Sequence, residues 1–191
     1  MFTQPIAPEI PAPLAAHPAQ VFFTIKPDPG AALQIQRLTD RLGPSHCLTG
    51  QIVSPDRLHV SLNSLGPHDP WSAARAMEAV STIRTPPFVV AFNRLASFGR
   101  GNGPRPLVLW GDEGVIGVFR LHTAIHAALA DAQVVGRRER QIEPHVTLLR
   151  DRRVVPDQPI PPIRWTVREL LLIRSVRGEG HETLGRWPLR G

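Results

Sequence analysis

One cysteine, one lysine and no long apolar run set the first limits on this chain of 191 residues. Cys47 by itself cannot close an intramolecular disulfide, which suits a reducing compartment and predicts a cytoplasmic protein. No segment approaches the roughly 20 consecutive apolar residues that a helix needs to cross a bilayer, so no membrane association is expected. The first twenty residues lack a basic cluster and a continuous apolar stretch, and therefore do not read as a secretory signal. Rich in Pro and Ala, residues 1–20 are expected to form a flexible tail ahead of a single domain over residues 21–191. A hydrophobic content of 42% is enough for a packed core and excludes a wholly disordered chain.

The scarcity of lysine has a counterpart. Lys26 is alone among 22 basic residues, the others all being arginine, and the net charge is +6. Arginine presents a planar fork that matches phosphate oxygens two at a time, and a positive field draws anions inward. The balance favours anionic substrates.

The pattern along the chain alternates strands with helices. Val21–Ile25 reads as a strand ending in the turn Lys26-Pro27-Asp28-Pro29-Gly30. Ile35, Leu38 and Leu42 recur at helical spacing from Ala31 to Leu42, with Gly43-Pro44 as a stop. Leu58–Leu62 reads as a strand, and Asp69-Pro70 as the start of a helix that runs to about Arg84. Pro87–Phe92 and Leu107–Trp110 are expected strands. The glycine cluster Gly99-Arg100-Gly101-Asn102-Gly103-Pro104 between them is a hairpin connection, since no helix opens after it as a dinucleotide fingerprint requires. A third helix is expected from Val115 to Ala132, then strands at the second motif, over Arg164–Ile173 and over Glu182–Leu189, with Gly178 and Gly180 between the last two. Helices recurring between strands indicate an α+β protein with helices packed on sheets.

Two tetrapeptides carry the chemistry. His59-Val60-Ser61-Leu62 and His145-Val146-Thr147-Leu148 have the same residue classes at all four positions and lie 86 residues apart. On a strand, side chains two apart share a face. Each copy thus buries an aliphatic pair and presents an imidazole beside a hydroxyl. Side by side, the two strands would bring two imidazoles and two hydroxyls to one spot, a set suited to in-line chemistry on phosphate. The alternative is two ordinary half-buried strands whose histidines are merely satisfied polar groups.

The pair resembles the signature of the two-histidine (2H) phosphoesterases, most closely the RNA 2′,3′-cyclic phosphodiesterases also called 2′-5′ RNA ligases. Arg57-Leu58-His59-Val60-Ser61-Leu62 with Leu65-Gly66 is similar to that family's first motif, and Pro144-His145-Val146-Thr147-Leu148-Leu149-Arg150-Asp151 to its second. Val21–Ile25 is similar to the opening strand and Arg186-Trp187-Pro188-Leu189 to the closing one. The family often has an aromatic residue just before the second motif, where Ile142-Glu143 stand here. The resemblance implies a bilobal fold of two antiparallel sheets, helices outside and a central cleft. It also implies hydrolysis of RNA 2′,3′-cyclic phosphate ends to 2′-phosphate without metal or other cofactor, together with reversible 2′-5′ ligation. By the same likeness His59 is the acid, His145 the base, and Ser61, Thr147 and Arg150 hold the phosphate. The expected partners are RNA ends or small cyclic-phosphate nucleotides, with no obligate protein partner and a monomeric state.

Other readings stay open at this point. The superfamily includes enzymes acting on ADP-ribose cyclic phosphate or 2′-5′ oligoadenylate, and a module that only holds RNA ends would keep the same cleft. His122 and His126, four apart on the third helix, have a metal-ligand spacing, but no Glu lies between them as in H-E-x-x-H. A surface or interface role is expected for both. His68 is a candidate cap for the following helix, while His17, His46 and His181 fall in expected tail or loop. Cys47 is expected to be structural. The run Arg137-Arg138-Glu139-Arg140 is either an RNA-backbone contact or a solvated loop.

Overall fold

A computed structural model describes residues 18–176 and 180–191. Most of the expected tail, with His17, and Gly178 lie outside the described residues. The chain is an α+β fold of two antiparallel sheets and three α-helices. In order, the elements are β1 (Gln20–Ile25), α1 (Pro29–Ser45), β2 (Gln51–Ile52), β3 (Val60–Pro67), α2 (Pro70–Val80), β4 (Phe88–Ser97), β5 (Arg105–Trp110), α3 (Ile116–Asp131), β6 (His145–Asp151), β7 (Gln158–Val167), β8 (Glu169–Val176) and β9 (Gly180–Pro188). One sheet runs β3-β1-β8-β9 and the other β2-β6-β5-β4-β7. The motif strands β3 and β6 therefore belong to different sheets. They approach each other without pairing, which corrects the side-by-side arrangement.

Both sheets contribute to one core. Phe23 and Ile25 of β1, Phe92 of β4, Ile35 of α1 and Leu121 and Ile125 of α3 are all fully buried within it. α1 packs on β6 and β7, and α3 on β3 and β4, so each helix touches a sheet that carries a motif strand or its neighbours. The motif aliphatics Val60, Leu62, Val146 and Leu148 are buried as the alternation requires. Each contributes about 1.5–3 kcal/mol by leaving water. A one-residue slip would drive a histidine into the core in their place, which pins the register of both motifs.

Several boundaries differ from the sequence reading, for local reasons. Asp28 does not sit in a free turn: its carboxylate accepts from the Ala31 N–H at 2.8 Å and caps α1, with Pro29 in the first turn. α1 runs through Gly43-Pro44 to Ser45, because a proline in the last turn forfeits only one bond before the helix ends. At α2, Asp69 rather than His68 caps, accepting from Ser72 N–H at 2.8 Å, and the helix stops at Val80. Arg164–Ile173 is two strands, β7 and β8, turning at Arg168. Two-residue β2 carries no periodic signal, and its pairing with β6 is what defines it. Among the described residues no helix is long and apolar enough to cross a membrane.

Candidate active site

The two histidines are held in the same way. His59 Nδ1 lies 2.7 Å from the Arg57 carbonyl, and His145 Nδ1 lies 2.7 Å from the Glu143 carbonyl. A carbonyl only accepts, so in each ring Nδ1 carries the proton and donates it two residues back. The neutral ring then keeps its Nε2 lone pair free, and both rings share this tautomer. Each also leans on a phenylalanine: Phe22 at 5.3 Å from His59, Phe98 at 5.5 Å from His145, between ring centroids. The equivalence extends through surroundings that share no sequence.

The backbone beyond each motif repeats as well. Between β1 and β3 the register passes from Thr24↔Ser61 to Phe22↔Ser64, leaving one extra residue on β3. Between β5 and β6 it passes from Val108↔Thr147 to Leu107↔Leu149, leaving Leu148 extra on β6. Each bulge buries two successive residues, Leu62 and Asn63 or Leu148 and Leu149, and resets the alternation. The residue five after each histidine, Ser64 or Arg150, thus emerges on the face of the imidazole and hydroxyl. Strict alternation would have sent Arg150 to the core side. β6 does not end near Leu149 for the side chain to swing back; it continues to Asp151, and the bulge delivers Arg150.

The backbone around Arg150 is tightly held. Asp151, buried, accepts hydrogen bonds from the N–H groups of Thr49, Gly50 and Arg153 at 2.6–2.7 Å. The Arg153 contact first, then those of Thr49 and Gly50, keep its carboxyl below the usual range. A Cβ on Gly50 would stand 1.9 Å from the Arg150 carbonyl oxygen, so only glycine admits this approach. The Arg150 side chain is exposed, and it makes no ion pair or hydrogen bond among the described residues. The same holds for the hydroxyls of Ser61 and Thr147, which leaves all three groups available to an anion.

Charge links the two histidines. Burial lowers the pKa of His59, the Arg57 carbonyl contact partly opposes this, and the positive charges of Lys26, His145 and Arg57 lower it further. His145 is thus near enough to be felt. Lys26, the only lysine, sits beside this site with Nζ donating to the Asp56 carbonyl at 2.7 Å.

Sequence reasoning missed three features. His181 is not in a loop: β9 begins at Gly180 and places its ring 5.1 Å from His59, edge to face, and 6.0 Å from Phe22. Burial, then the charges of His59, Arg57 and Lys26, push it down to about 4. Its strand gave no signal because only the residues from 182 onward read as apolar alternation. Trp110, directly across from His145 on β5, and Phe98 form an aromatic wall. Arg94 lies over Trp110 at 5.3 Å and pairs with Asp157, which also accepts from Trp110 Nε1 at 3.1 Å. The aromatic surface missing before the second motif is supplied by Trp110 of β5 and by Phe98 just past the end of β4.

His122 and His126 both face the basic loop. His122 is buried, and its Nε2 lies 2.9 Å from the Arg140 carbonyl; His126 Nε2 lies 3.3 Å from that of Arg137. Both donate there, so the helical spacing matches the span of the basic loop and staples it to α3. Cys47 is exposed in a turn after α1, at φ 51°.

Residues 27–179 match the model of the 2′-5′ RNA ligase superfamily. No curated protein matches the chain. Among solved structures it is similar to E. coli LigT in apo form, at 26% identity, 91% of this chain, 99% of that one and a TM-score of 0.73. It is similar in fold to TT0787 of Thermus thermophilus (20% identity, 90% and 98% covered, TM-score 0.70). Usb1 of Kluyveromyces marxianus shares the fold more distantly (14% identity, 90% and 97% covered, TM-score 0.52).

Proposed function

The chain belongs to the 2′-5′ RNA ligase superfamily of 2H phosphoesterases, and we propose that it opens 2′,3′-cyclic phosphates at RNA ends to 2′-phosphates. The observation that carries this reading is the doubled array: imidazole, hydroxyl and a bulge-delivered third residue, presented alike from two strands of two sheets. In-line hydrolysis needs a base on one side of phosphorus and an acid on the other. His145 takes a proton from water at its free Nε2, and the water oxygen attacks phosphorus. The P–O3′ bond breaks, and O3′ takes the Nε2 proton of His59, which enters the reaction as the imidazolium with Nδ1–H still on the Arg57 carbonyl. Two imidazoles supply both transfers near neutral pH, each worth roughly 10²–10⁴-fold in rate.

Ser61 and Thr147 donate to the non-bridging oxygens, where charge grows as water adds. Arg150 neutralises the same charge with its fork. Phe98 and Trp110, inclined to each other by 58°, offer aromatic surface beside His145 against which a nucleobase packs. A module that only held RNA ends would need neither the matched tautomers nor an acid and a base.

The test is hydrolysis by the purified protein, in excess EDTA, of a short RNA ending in a 2′,3′-cyclic phosphate. Products are resolved against 2′- and 3′-phosphate standards. The expected outcome is a 2′-phosphate, with a loss of ~10² or more in His59→Ala and in His145→Ala. No conversion by the wild type would refute the assignment to RNA ends.

A further inference from the structure

β3 does not stop at the phosphate groups. About 10 Å further along the strand, at some 3.3 Å per residue, Ser64 shares the face of Ser61 and borders a cavity of about 450 Å³. Its other walls are Asn63, His122 and the loop residues Arg138 and Arg140. Among the described residues no acid lines it. Glu139, the one acid in that loop, does not line it; its Oε1 accepts from Thr123 Oγ1 at 2.8 Å and lies 3.4 Å from His122 Nε2.

Two of the lining side chains are buried and incompletely satisfied. Asn63 and His122 are 7% and 5% exposed, and Asn63 Oδ1 and His122 Nδ1 have no hydrogen-bond partner among the described residues. His122 donates from Nε2 to a carbonyl, so in the neutral ring its Nδ1 is an acceptor. The cavity thus combines two arginine forks with two acceptors that lack a donor. A phosphate alone would answer the arginines and leave the acceptors unmet. A sugar hydroxyl next to a phosphate answers both.

We propose that this cavity is a subsite for the ribose-phosphate unit that precedes the terminal nucleotide, which makes an RNA chain the preferred substrate over a mononucleotide. The inference rests on the cyclic-phosphodiesterase reading above. At a 3′ end every further nucleotide lies upstream, so whatever extends from the cleft along β3 meets this cavity. The histidine staple at His122 and His126 fixes the loop carbonyls of Arg137 and Arg140, which holds the basic loop against this wall in advance of substrate.

The experiment compares kcat/KM for a nucleoside 2′,3′-cyclic phosphate and for a dinucleotide ending in the same group, in the wild type and in the double variant Arg138→Ala/Arg140→Ala. The dinucleotide should be preferred by about tenfold or more, the worth of one charge-assisted contact. The double variant should abolish that preference and leave mononucleotide turnover within about twofold. Equal turnover of both substrates by the wild type, or a preference that survives the double variant, would overturn the subsite while leaving the reaction intact. Turnover of neither would overturn the reaction and the subsite together.

Discussion

His181 makes acid stability a direct readout of the imidazole cluster. In the folded chain its pKa is pushed down to about 4, whereas an exposed histidine titrates near 6.5. Between those values the unfolded chain binds the extra proton and the folded chain does not. Stability therefore rises with pH through this window: the contribution is fully present above pH 6.5 and is lost as pH falls towards 4. A displacement of that size amounts to about 3 kcal/mol if fully expressed. Solvent screening of a half-buried ring reduces it to about 1–2 kcal/mol.

His181→Phe keeps an aromatic ring against His59 and Phe22 and removes the titration. Thermal unfolding of both proteins at about pH 7 and about pH 4.5 isolates the effect of His181 and its coupling to His59, since groups remote from the ring cancel in the difference. For a chain of this size about 1 kcal/mol moves Tm by roughly 2–4 °C. The wild type should thus lose about 2–8 °C more than the variant on acidification. Equal losses in the two proteins would refute the placement of a neutral His181 beside His59.

Gly50→Ala should force the β2 backbone away from Arg150; the strain of such overpacking, about 1–3 kcal/mol, lowers Tm by some 2–10 °C in a melting experiment. Asp151→Asn removes a carboxylate that three N–H groups hold ionised, so the variant should lose the stability that the wild type shows above the ordinary carboxylate pKa. Chemical unfolding should separate the two proteins at about pH 7, and the gap should close as pH falls through the lowered carboxyl pKa of Asp151. Thr147→Val, which keeps the shape and removes the donor, should cost roughly 10²-fold in kcat with little change in KM for a cyclic phosphate. Burial lowers the pKa of His59, so one limb of kcat/KM against pH should have its midpoint below the ordinary histidine value; an NMR titration of its ring that shows no lowering would refute that burial.

The histidines and hydroxyls were legible because a period of two needs only local chemistry: Val60, Leu62, Val146 and Leu148 bury themselves, and the other residues follow. Arg150 and Ser64 reach the same face for a reason that local chemistry hides. A bulge is defined by the partner strand, and nothing in Leu148-Leu149 or Leu62-Asn63 says that two successive residues will be buried. His181 and Trp110 were illegible for a related reason, since their places are fixed by pairings with β8 and β6, and Phe98 lies just past the end of β4, where no strand period applies. α3 shows the opposite case, in which the sequence signal was real and its meaning was not. The four-residue spacing of His122 and His126 does reflect a shared target on one helix face, and that target is a pair of loop carbonyls rather than an ion. Periodicity reports which residues act together; only the partner decides what they act on. The same limit applies to the two motifs, whose equivalence in sequence becomes a site because the β-bulges and the Nδ1 contacts repeat in strands that share no other residue pattern.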